Sequence, residues 1–274
     1  MVTDLPQRPA AGRRAAVIPP ELRTALATLA TADELLVATD FDGVMAPLVQ
    51  RAEDARPLPE SAAALRALAE VPHTSTALIS GRALASLRHA ASPEPETLLV
   101  GSHGAETWTG PNAEPLQLTP VQAALLARAR QAVASVVDAS PGCRLEDKPA
   151  GVVLHTRGAP DDVASAAVDA ARGRLGELDG VQVTDGKRVL EASVVHSNKG
   201  EGIRALRELT GASAVLFAGD DVTDEHGFAA LQRGDVGIKV GPGATAAGFR
   251  VDSPADFAEV LTHLLQLRRA AVEN

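Results

Sequence analysis

Short apolar runs alternate with helical patterns along this chain, and one segment between residues 109 and 192 interrupts the alternation. Apolar runs of this kind, bounded by turn residues, are typical of buried strands. Strands separated by helices predict a parallel sheet, because a parallel connection needs a long crossover. The predicted strands are 35–38, 76–79, 97–100, 214–218 and 235–240, and the predicted helices are 59–70, 82–90, 200–209, 224–232 and 254–268.

The interrupting segment predicts an inserted unit. A polar stretch at 110–115 precedes Thr119, which suits a helix cap, and a long helix is predicted after it. From 144 to 192 the pattern favours strand, helix, strand, strand, with a hairpin that turns at Asp185-Gly186. We therefore predict an α/β protein with a flexible tail at 1–20, a parallel-sheet core split over 21–108 and 193–274, and an α+β cap at 109–192.

Charge and cysteine content argue against several classes of function. The formal net charge of -9 would repel a nucleic-acid backbone, so we expect no nucleic-acid partner. The single cysteine, Cys143, cannot form an intramolecular disulfide, which favours a reducing compartment, and we expect the cytoplasm. No apolar run approaches the roughly 18 residues that a membrane span needs, and we expect no membrane partner and no secretory signal.

Two aspartates follow the first predicted strand directly. Asp40 and Asp42 stand where functional groups gather in open α/β sheets, at the carboxyl end of a strand. Residues two apart on an extended chain project to the same side, so both carboxylates can reach one pocket. Because two such carboxylates repel each other, the pair indicates either a magnesium ion or one protonated carboxyl group. Solvated aspartates in a turn are the competing interpretation.

Three further signals occupy comparable places. Ser80-Gly81-Arg82 ends the second apolar run, where a hydroxyl and backbone N–H groups could hold a phosphoryl oxygen, although a capped helix start explains the same residues. Lys199 lies at the start of a predicted helix. It could neutralise the charge on a transferring phosphoryl group, and a solvated lysine is the alternative interpretation. The segment 219–225 carries four acidic residues, which suit magnesium and also suit a helix N-terminus.

In order and strand placement, these four signals resemble the motifs of the haloacid dehalogenase (HAD) superfamily over residues 35–260. The resemblance implies a HAD-like Rossmannoid parallel-sheet core, with Asp40 as a nucleophile that forms an aspartyl-phosphate and Asp42 as the general acid and base. It also implies Ser80 and Lys199 as catalytic residues that hold the phosphate. The implied cofactor is Mg²⁺, with ligands from Asp40, Asp42 through its backbone carbonyl, Asp220 and Asp224.

A more specific resemblance is to the trehalose-phosphate phosphatases. It rests on residues 101–106 (Gly-Ser-His-Gly-Ala-Glu), on Glu146-Asp147-Lys148, and on 219–225 with Phe228. It implies a cap that closes over the substrate. The implied substrate-binding residues are Ser80, Gly81 and Arg82 in the core and Glu146, Lys148, Arg157, Lys187 and Glu191 in the cap. Charged groups bond sugar hydroxyls in pairs, although each cap residue taken alone could be solvated.

The resemblance therefore implies an enzyme, expected to be a monomer, that hydrolyses trehalose 6-phosphate to trehalose and inorganic phosphate. This is the final step of trehalose biosynthesis. A phosphatase of another sugar phosphate, such as sucrose 6-phosphate or mannosyl-3-phosphoglycerate, would keep the core residues and differ in the cap. His103 is interpreted as a hydrogen-bonded turn residue outside the catalytic set.

Overall fold

The structure of the protein is a computed structural model, which describes residues 18–186 and 188–273. The strands in this part of the chain are β1 (Leu35–Thr39), β2 (Thr74–Ile79), β3 (Leu98–Gly101), β4 (Glu106–Trp108), β5 (Arg144–Lys148), β6 (Gly151–His155), β7 (Gln182–Gly186), β8 (Val189–Ser193), β9 (Ala214–Gly219), β10 (Val236–Val240) and β11 (Phe249–Val251). The helices are α1 (Pro20–Leu29), α2 (Pro59–Ala69), α3 (Leu84–Ala91), α4 (Pro120–Asp138), α5 (Asp161–Gly176), α6 (Lys199–Thr210), α7 (Glu225–Ala229) and α8 (Pro254–Val272).

The larger sheet has β1 at its centre. Its order is β11-β10-β9-β1-β2-β3-β4, and its strand pairs are parallel except for β3 with β4. All of β1 is buried, with Leu35 and Val37 in the apolar cluster beneath α1, α2 and α8, and Leu36 and Ala38 in the cluster beneath α6. Helices cover both faces, which explains the continuous apolar run, and the predicted α/β fold is confirmed.

The smaller sheet is antiparallel, with the order β5-β6-β8-β7. Alternate residues such as Val152, Leu154 and Leu190 form one face and pack against α4 and α5. The residues between them form the other face, which carries charged side chains. This sheet lies inside the predicted cap, and it is consistent with the predicted domain limits, which stay a prediction.

Two predictions within residues 144–192 are wrong. The order is strand, strand, helix, strand, strand, because the polar segment Arg144–Lys148 forms a strand of its own before the short turn that leads to β6. The hairpin does not turn at Asp185-Gly186. Gly186 pairs with Val189, so both predicted turn residues belong to β7, and the described residue between the two strands, Arg188, takes a φ of 65°. That left-handed conformation supplies the chain reversal.

Several helix limits also differ from the predictions. The helix predicted over 82–90 begins at Leu84, because the Arg82 amide donates to Ser80 Oγ and the backbone at Ala83 is still extended. The helix predicted over 224–232 ends at Ala229, where the chain enters the turn that leads to β10. The three-residue strands β4 and β11 were not predicted, because such short runs carry little periodic signal. Helix α1 was also missed, although its buried Leu22, Leu26 and Leu29 recur at helical spacing.

The predicted tail at 1–20 falls mainly on residues 1–17, which lie outside the described residues. Helix α1 begins at Pro20, which suits a first helical position because proline lacks an N–H. Across residues 18–186 and 188–273, every helix is too short or too polar to cross a bilayer.

Candidate active site

The carboxyl ends of β1, β2 and β9 meet at one edge of the larger sheet, and the charged face of the smaller sheet lies opposite them. A cleft of about 410 Å³ separates the two. The sequence-predicted residues that line it are Asp40, Asp42, Ser80, Gly81, Arg82, Glu146, Lys148, Lys199 and Asp220. Side chains that are up to 180 positions apart in the sequence thus share one cavity.

Lys199 joins two carboxylates at the buried end of the cleft. Its Nζ lies 2.7 Å from Asp40 Oδ2 and 2.6 Å from Asp224 Oδ1. The Lys199 side chain is only 2% exposed, and the Asp224 side chain is fully buried. The remaining oxygen of Asp224 accepts hydrogen bonds from the amides of Asp220 and Asp221, both at 2.9 Å. Asp224 therefore fixes both the lysine and the loop that follows β9.

Burial and charge shift the pKa values of this cluster. Burial raises the pKa of Asp40 well above its ordinary value, Lys199 opposes this shift, and the carboxylates of Asp224 and Asp220 add to it. Burial lowers the pKa of Lys199, but the two carboxylates outweigh that effect and raise it. Burial, with the Asp224 charge, raises the pKa of Asp220 to about 7. If all of these carboxyl groups were ionised, their negative charge would exceed the one positive charge of Lys199.

Three of these carboxylates can hold one cation. One oxygen from each of Asp40, Asp220 and Asp224 lies within 4.8 Å of the others. A set of clustered carboxylate oxygens suits a hard divalent ion, and such an ion would remove the repulsion that raises their pKa values. The carboxylate of Asp42 is not part of this cluster, because it pairs with Arg82 instead. A contribution from the Asp42 backbone carbonyl stays a prediction.

Gly43 leaves the space that the Asp220 carboxylate occupies. A Cβ at this position would overlap Asp220, and Gly43 has a φ of +80°. We expect Gly43→Ala to weaken the binding of a divalent cation to this cluster by about tenfold or more, because the added methyl group displaces the Asp220 carboxylate and the backbone is strained. Calorimetric titration with Mg²⁺ measures this effect. As a control, Gly173→Ala on α5, where a Cβ meets no neighbour, should leave the affinity unchanged.

Arg82 holds Asp42 through two parallel hydrogen bonds. Arg82 Nε lies 2.6 Å from Asp42 Oδ2, and Nη2 lies 2.7 Å from Oδ1. The guanidinium also stacks over the Phe41 ring at 5.3 Å. Ser80 is buried beside this pair, and its Oγ accepts a hydrogen bond from the Arg82 backbone N–H at 3.2 Å. Ser80 and Arg82, two of the predicted substrate-binding residues, therefore form one connected group with Asp42.

The cap side of the cleft carries two charged pairs. Lys148 Nζ lies 2.6 Å from Glu191 Oε2 and donates to the Gly81 carbonyl at 3.0 Å, so it links the two sheets. Glu146 Oε2 lies 2.6 Å from His155 Nε2. Arg157 does not line the cleft and donates to the Gln50 carbonyl instead. Lys187 lies outside the described residues.

The trehalose-phosphatase family model matches residues 38–255, which is most of the chain. The chain belongs to the trehalose-phosphatase family. It is 34% identical over 247 residues to a trehalose-phosphate phosphatase of Mycobacterium avium, a match that covers 84% of this chain and 62% of that protein. It is 33% identical over 264 residues to an uncharacterized glycosyl hydrolase of Mycobacterium tuberculosis, which covers 91% of this chain and 20% of that protein. The chain thus spans less than two thirds of the length of either relative.

Solved structures support the fold of this trehalose-phosphatase family member. The C-terminal domain of Candida albicans trehalose-6-phosphate phosphatase aligns with a TM-score of 0.77 at 22% identity, over 90% of this chain and 97% of that one. A trehalose-6-phosphate phosphatase related protein aligns with a TM-score of 0.69 at 24% identity, over 86% and 99%. At these identities the likeness concerns the fold alone, and it agrees with the predicted HAD-like core.

The cleft of this family member also contains residues that the sequence interpretation left out of the site. Asp221, Thr223, His103 and His155 line it. His155 shares a face of β6 with Val153, so its position follows from the period-2 pattern once β6 is recognised. His103 was interpreted as hydrogen-bonded, yet its Nδ1 is buried without a partner among the described residues. Burial lowers the pKa of His103 to about 3, so the ring is neutral.

The raised pKa of Asp220 predicts how stability depends on pH in the metal-free protein. The folded state keeps a proton on Asp220 up to about pH 7, whereas the unfolded state releases it near the ordinary value of 3.8. The stabilisation from this proton is complete below pH 3.8 and is lost as the pH rises through 7. We expect Asp220→Asn to remove this loss. Urea unfolding in chelator at pH 5 and pH 7.5 gives the free energy of unfolding of wild type and Asp220→Asn. If this free energy changes equally with pH in both proteins, the prediction is contradicted.

Proposed function

We propose that this trehalose-phosphatase family member hydrolyses trehalose 6-phosphate to trehalose and inorganic phosphate. One observation carries the proposal: a nucleophile-type carboxylate, Asp40, lies beside a buried lysine and a cation-binding cluster at the end of a cleft. The opposite wall of that cleft has charged pairs that suit sugar hydroxyls. Family membership and the relatives support the choice of a phosphorylated disaccharide.

In the proposed reaction, Asp40 attacks the phosphorus atom and the bond from phosphorus to the sugar oxygen breaks. Asp42 gives a proton to the leaving sugar oxygen, which yields trehalose and an aspartyl-phosphate. Water then attacks the phosphorus atom, Asp42 takes up its proton, and inorganic phosphate leaves with Asp40 regenerated. The two stages together consume one water molecule for each ester cleaved.

The pairing of Asp42 with Arg82 has a consequence for this sequence of steps. Both carboxylate oxygens of Asp42 accept hydrogen bonds from Arg82, so this pair has to open before Asp42 protonates the leaving group. An opened pair leaves the guanidinium free for the phosphoryl group, two oxygens of which its planar fork can bind with parallel hydrogen bonds. We propose that phosphate binding itself releases Asp42.

The remaining residues hold the phosphate and its charge. Ser80 and the Gly81 backbone would donate to phosphoryl oxygens, and Lys199 would neutralise charge that develops in the transition state. We propose Mg²⁺ as the cation held by Asp40, Asp220 and Asp224, where it would offset the negative charge of the phosphoryl oxygens. We also propose a cytoplasmic monomer, because one chain supplies both walls of the cleft and its single cysteine is a free thiol.

Phosphate release from a panel of sugar phosphates tests the proposed function. With Mg²⁺, we expect kcat/KM for trehalose 6-phosphate to exceed that for glucose 6-phosphate and sucrose 6-phosphate by at least about 100-fold, since sites built for hydroxyls reject analogues strongly. Chelator should abolish the release. Equal rates for the three esters, or full activity in chelator, would contradict the proposal.

A further inference from the structure

The two charged pairs on the cleft-facing side of the cap sheet have different surroundings. Lys148 and Glu191 are largely buried, at 9% and 15% side-chain exposure, and Lys148 is bonded to the Gly81 carbonyl of the core. Glu146 and His155 are more open, at 47% and 25%. Neither has a core residue as a hydrogen-bond partner within the described chain. The first pair thus joins the two walls of the cleft, and the second pair faces the cavity.

The strand register places the second pair farther from the phosphate-binding end of the cleft. Glu146 lies two residues before Lys148 on β5, which is about 7 Å along the strand. His155 neighbours Glu146 diagonally, because Glu146 is paired with Val153 and His155 lies two residues farther along β6. Val153 and Val189 line the cavity beside them. An apolar floor next to a polar pair matches a sugar ring, which has C–H groups on its faces and hydroxyls at its edge.

The hydrogen bond between Glu146 and His155 determines which of their polar atoms remain available to a ligand. The His155 contact lowers the pKa of Glu146, so its carboxylate is ionised near neutral pH and can only accept hydrogen bonds. His155 Nε2 therefore donates to Glu146 Oε2 at 2.6 Å. The other ring nitrogen, Nδ1, has no protein partner in the described hydrogen-bond network and can bond a sugar hydroxyl, which both donates and accepts. Glu146 Oε1 and His155 Nδ1 are thus two polar atoms held together by the hydrogen bond between their side chains.

We infer that His155 is a specificity-determining residue, which together with Glu146 forms hydrogen bonds with sugar hydroxyls distant from the phosphate. This inference rests on the proposed function and adds a residue to it. It adds His155 to the cap residues that are expected to bind the sugar, among which Lys148 also joins the cap to the core. His155 contacts neither Asp40 nor Asp42 in the described hydrogen-bond network, so its replacement should alter substrate binding rather than the chemical steps.

Steady-state kinetics with two phosphate esters test this role. The variants are His155→Leu, which removes both ring nitrogens, and His155→Gln, whose amide N–H can still donate to Glu146 and whose carbonyl oxygen replaces Nδ1 in a different geometry. The esters are trehalose 6-phosphate and p-nitrophenyl phosphate, which has no sugar. For trehalose 6-phosphate we expect KM to rise about tenfold in His155→Leu and about threefold in His155→Gln, with kcat within twofold of wild type. With p-nitrophenyl phosphate, neither variant should change kcat/KM.

The control is His89→Leu, an exposed histidine of α3, which should match wild type with both esters. An unchanged KM for trehalose 6-phosphate in His155→Leu would overturn the inference and leave the proposed function intact. An equal loss of kcat/KM with p-nitrophenyl phosphate would also overturn the inference, since the substitution would then impair hydrolysis of any phosphate ester and not sugar binding. If wild-type protein hydrolyses p-nitrophenyl phosphate but not trehalose 6-phosphate, the proposed function fails and the inference with it.

Discussion

Replacement of Asp40 by asparagine is expected to reduce turnover of trehalose 6-phosphate by about 10⁴-fold or more, because the amide cannot form the aspartyl-phosphate. The fold should persist, because asparagine has the same shape and Lys199 keeps its bond to Asp224. The measurement is phosphate release under saturating substrate, with urea unfolding of the same preparation. A loss of this size in a folded protein indicates a chemical role for Asp40.

The matched control is Asp169→Asn on the exposed side of α5, which removes the same charge far from the cleft. We expect wild-type activity from it. Retention of more than about a tenth of the activity in Asp40→Asn would mean that another group attacks phosphorus, and the account of the site would be wrong.

Replacement of Lys199 by methionine is expected to lower the free energy of unfolding by about 3 kcal/mol at pH 8, because it leaves two buried carboxylates without their counterion. The ammonium contacts both Asp40 and Asp224, and methionine can fill the volume but not the charge. Turnover should fall about 10³-fold, since the same charge is needed at the phosphoryl group.

The dependence of this defect on pH separates charge from packing. At pH 5 the unpaired carboxylates of Lys199→Met take up protons more readily, so the difference from wild type should shrink. Arg204→Met, an exposed position on the same helix, serves as the control and should be stable at both pH values. A defect of equal size at pH 5 and pH 8 would point to lost packing and contradict the electrostatic explanation.

Much of the core fold could be predicted from the sequence because its strands are buried on both faces. A run such as 35–38 is apolar throughout only when helices cover both sides of the sheet, and that same fact places Asp40 at a strand end. Strand ends in a parallel sheet meet at one edge, so the candidate residues at 40, 80 and 220 could be grouped before any coordinates were available.

The cap was predicted less well, for a physical reason. Its sheet has one charged face, which faces the cleft, and one apolar face. Glu146 and Lys148 make β5 polar, so β5 lacks the apolar run that marks a separate strand, even though Pro149 and Gly151 are turn residues. The connection between β7 and β8 contains a left-handed arginine, Arg188, a conformation that residue type alone does not predict.

Side-chain pairing was the other part that the sequence could not supply. Asp42 and Arg82 were both expected in the site, but their bidentate bond depends on rotamers and on the stacking of Arg82 over Phe41. In the same way, the hydrogen bond between Glu146 and His155 follows from strand register, which a single sequence does not fix.

The most direct test of the central claim is a crystal structure obtained with Mg²⁺ and beryllium fluoride, which mimics a phosphoryl group on an aspartate. The account predicts beryllium fluoride bound to the carboxylate of Asp40, with one Mg²⁺ in contact with Asp40 and Asp220. A fluoride adduct on another residue, or an ion bound away from the Asp40, Asp220 and Asp224 cluster, would contradict it.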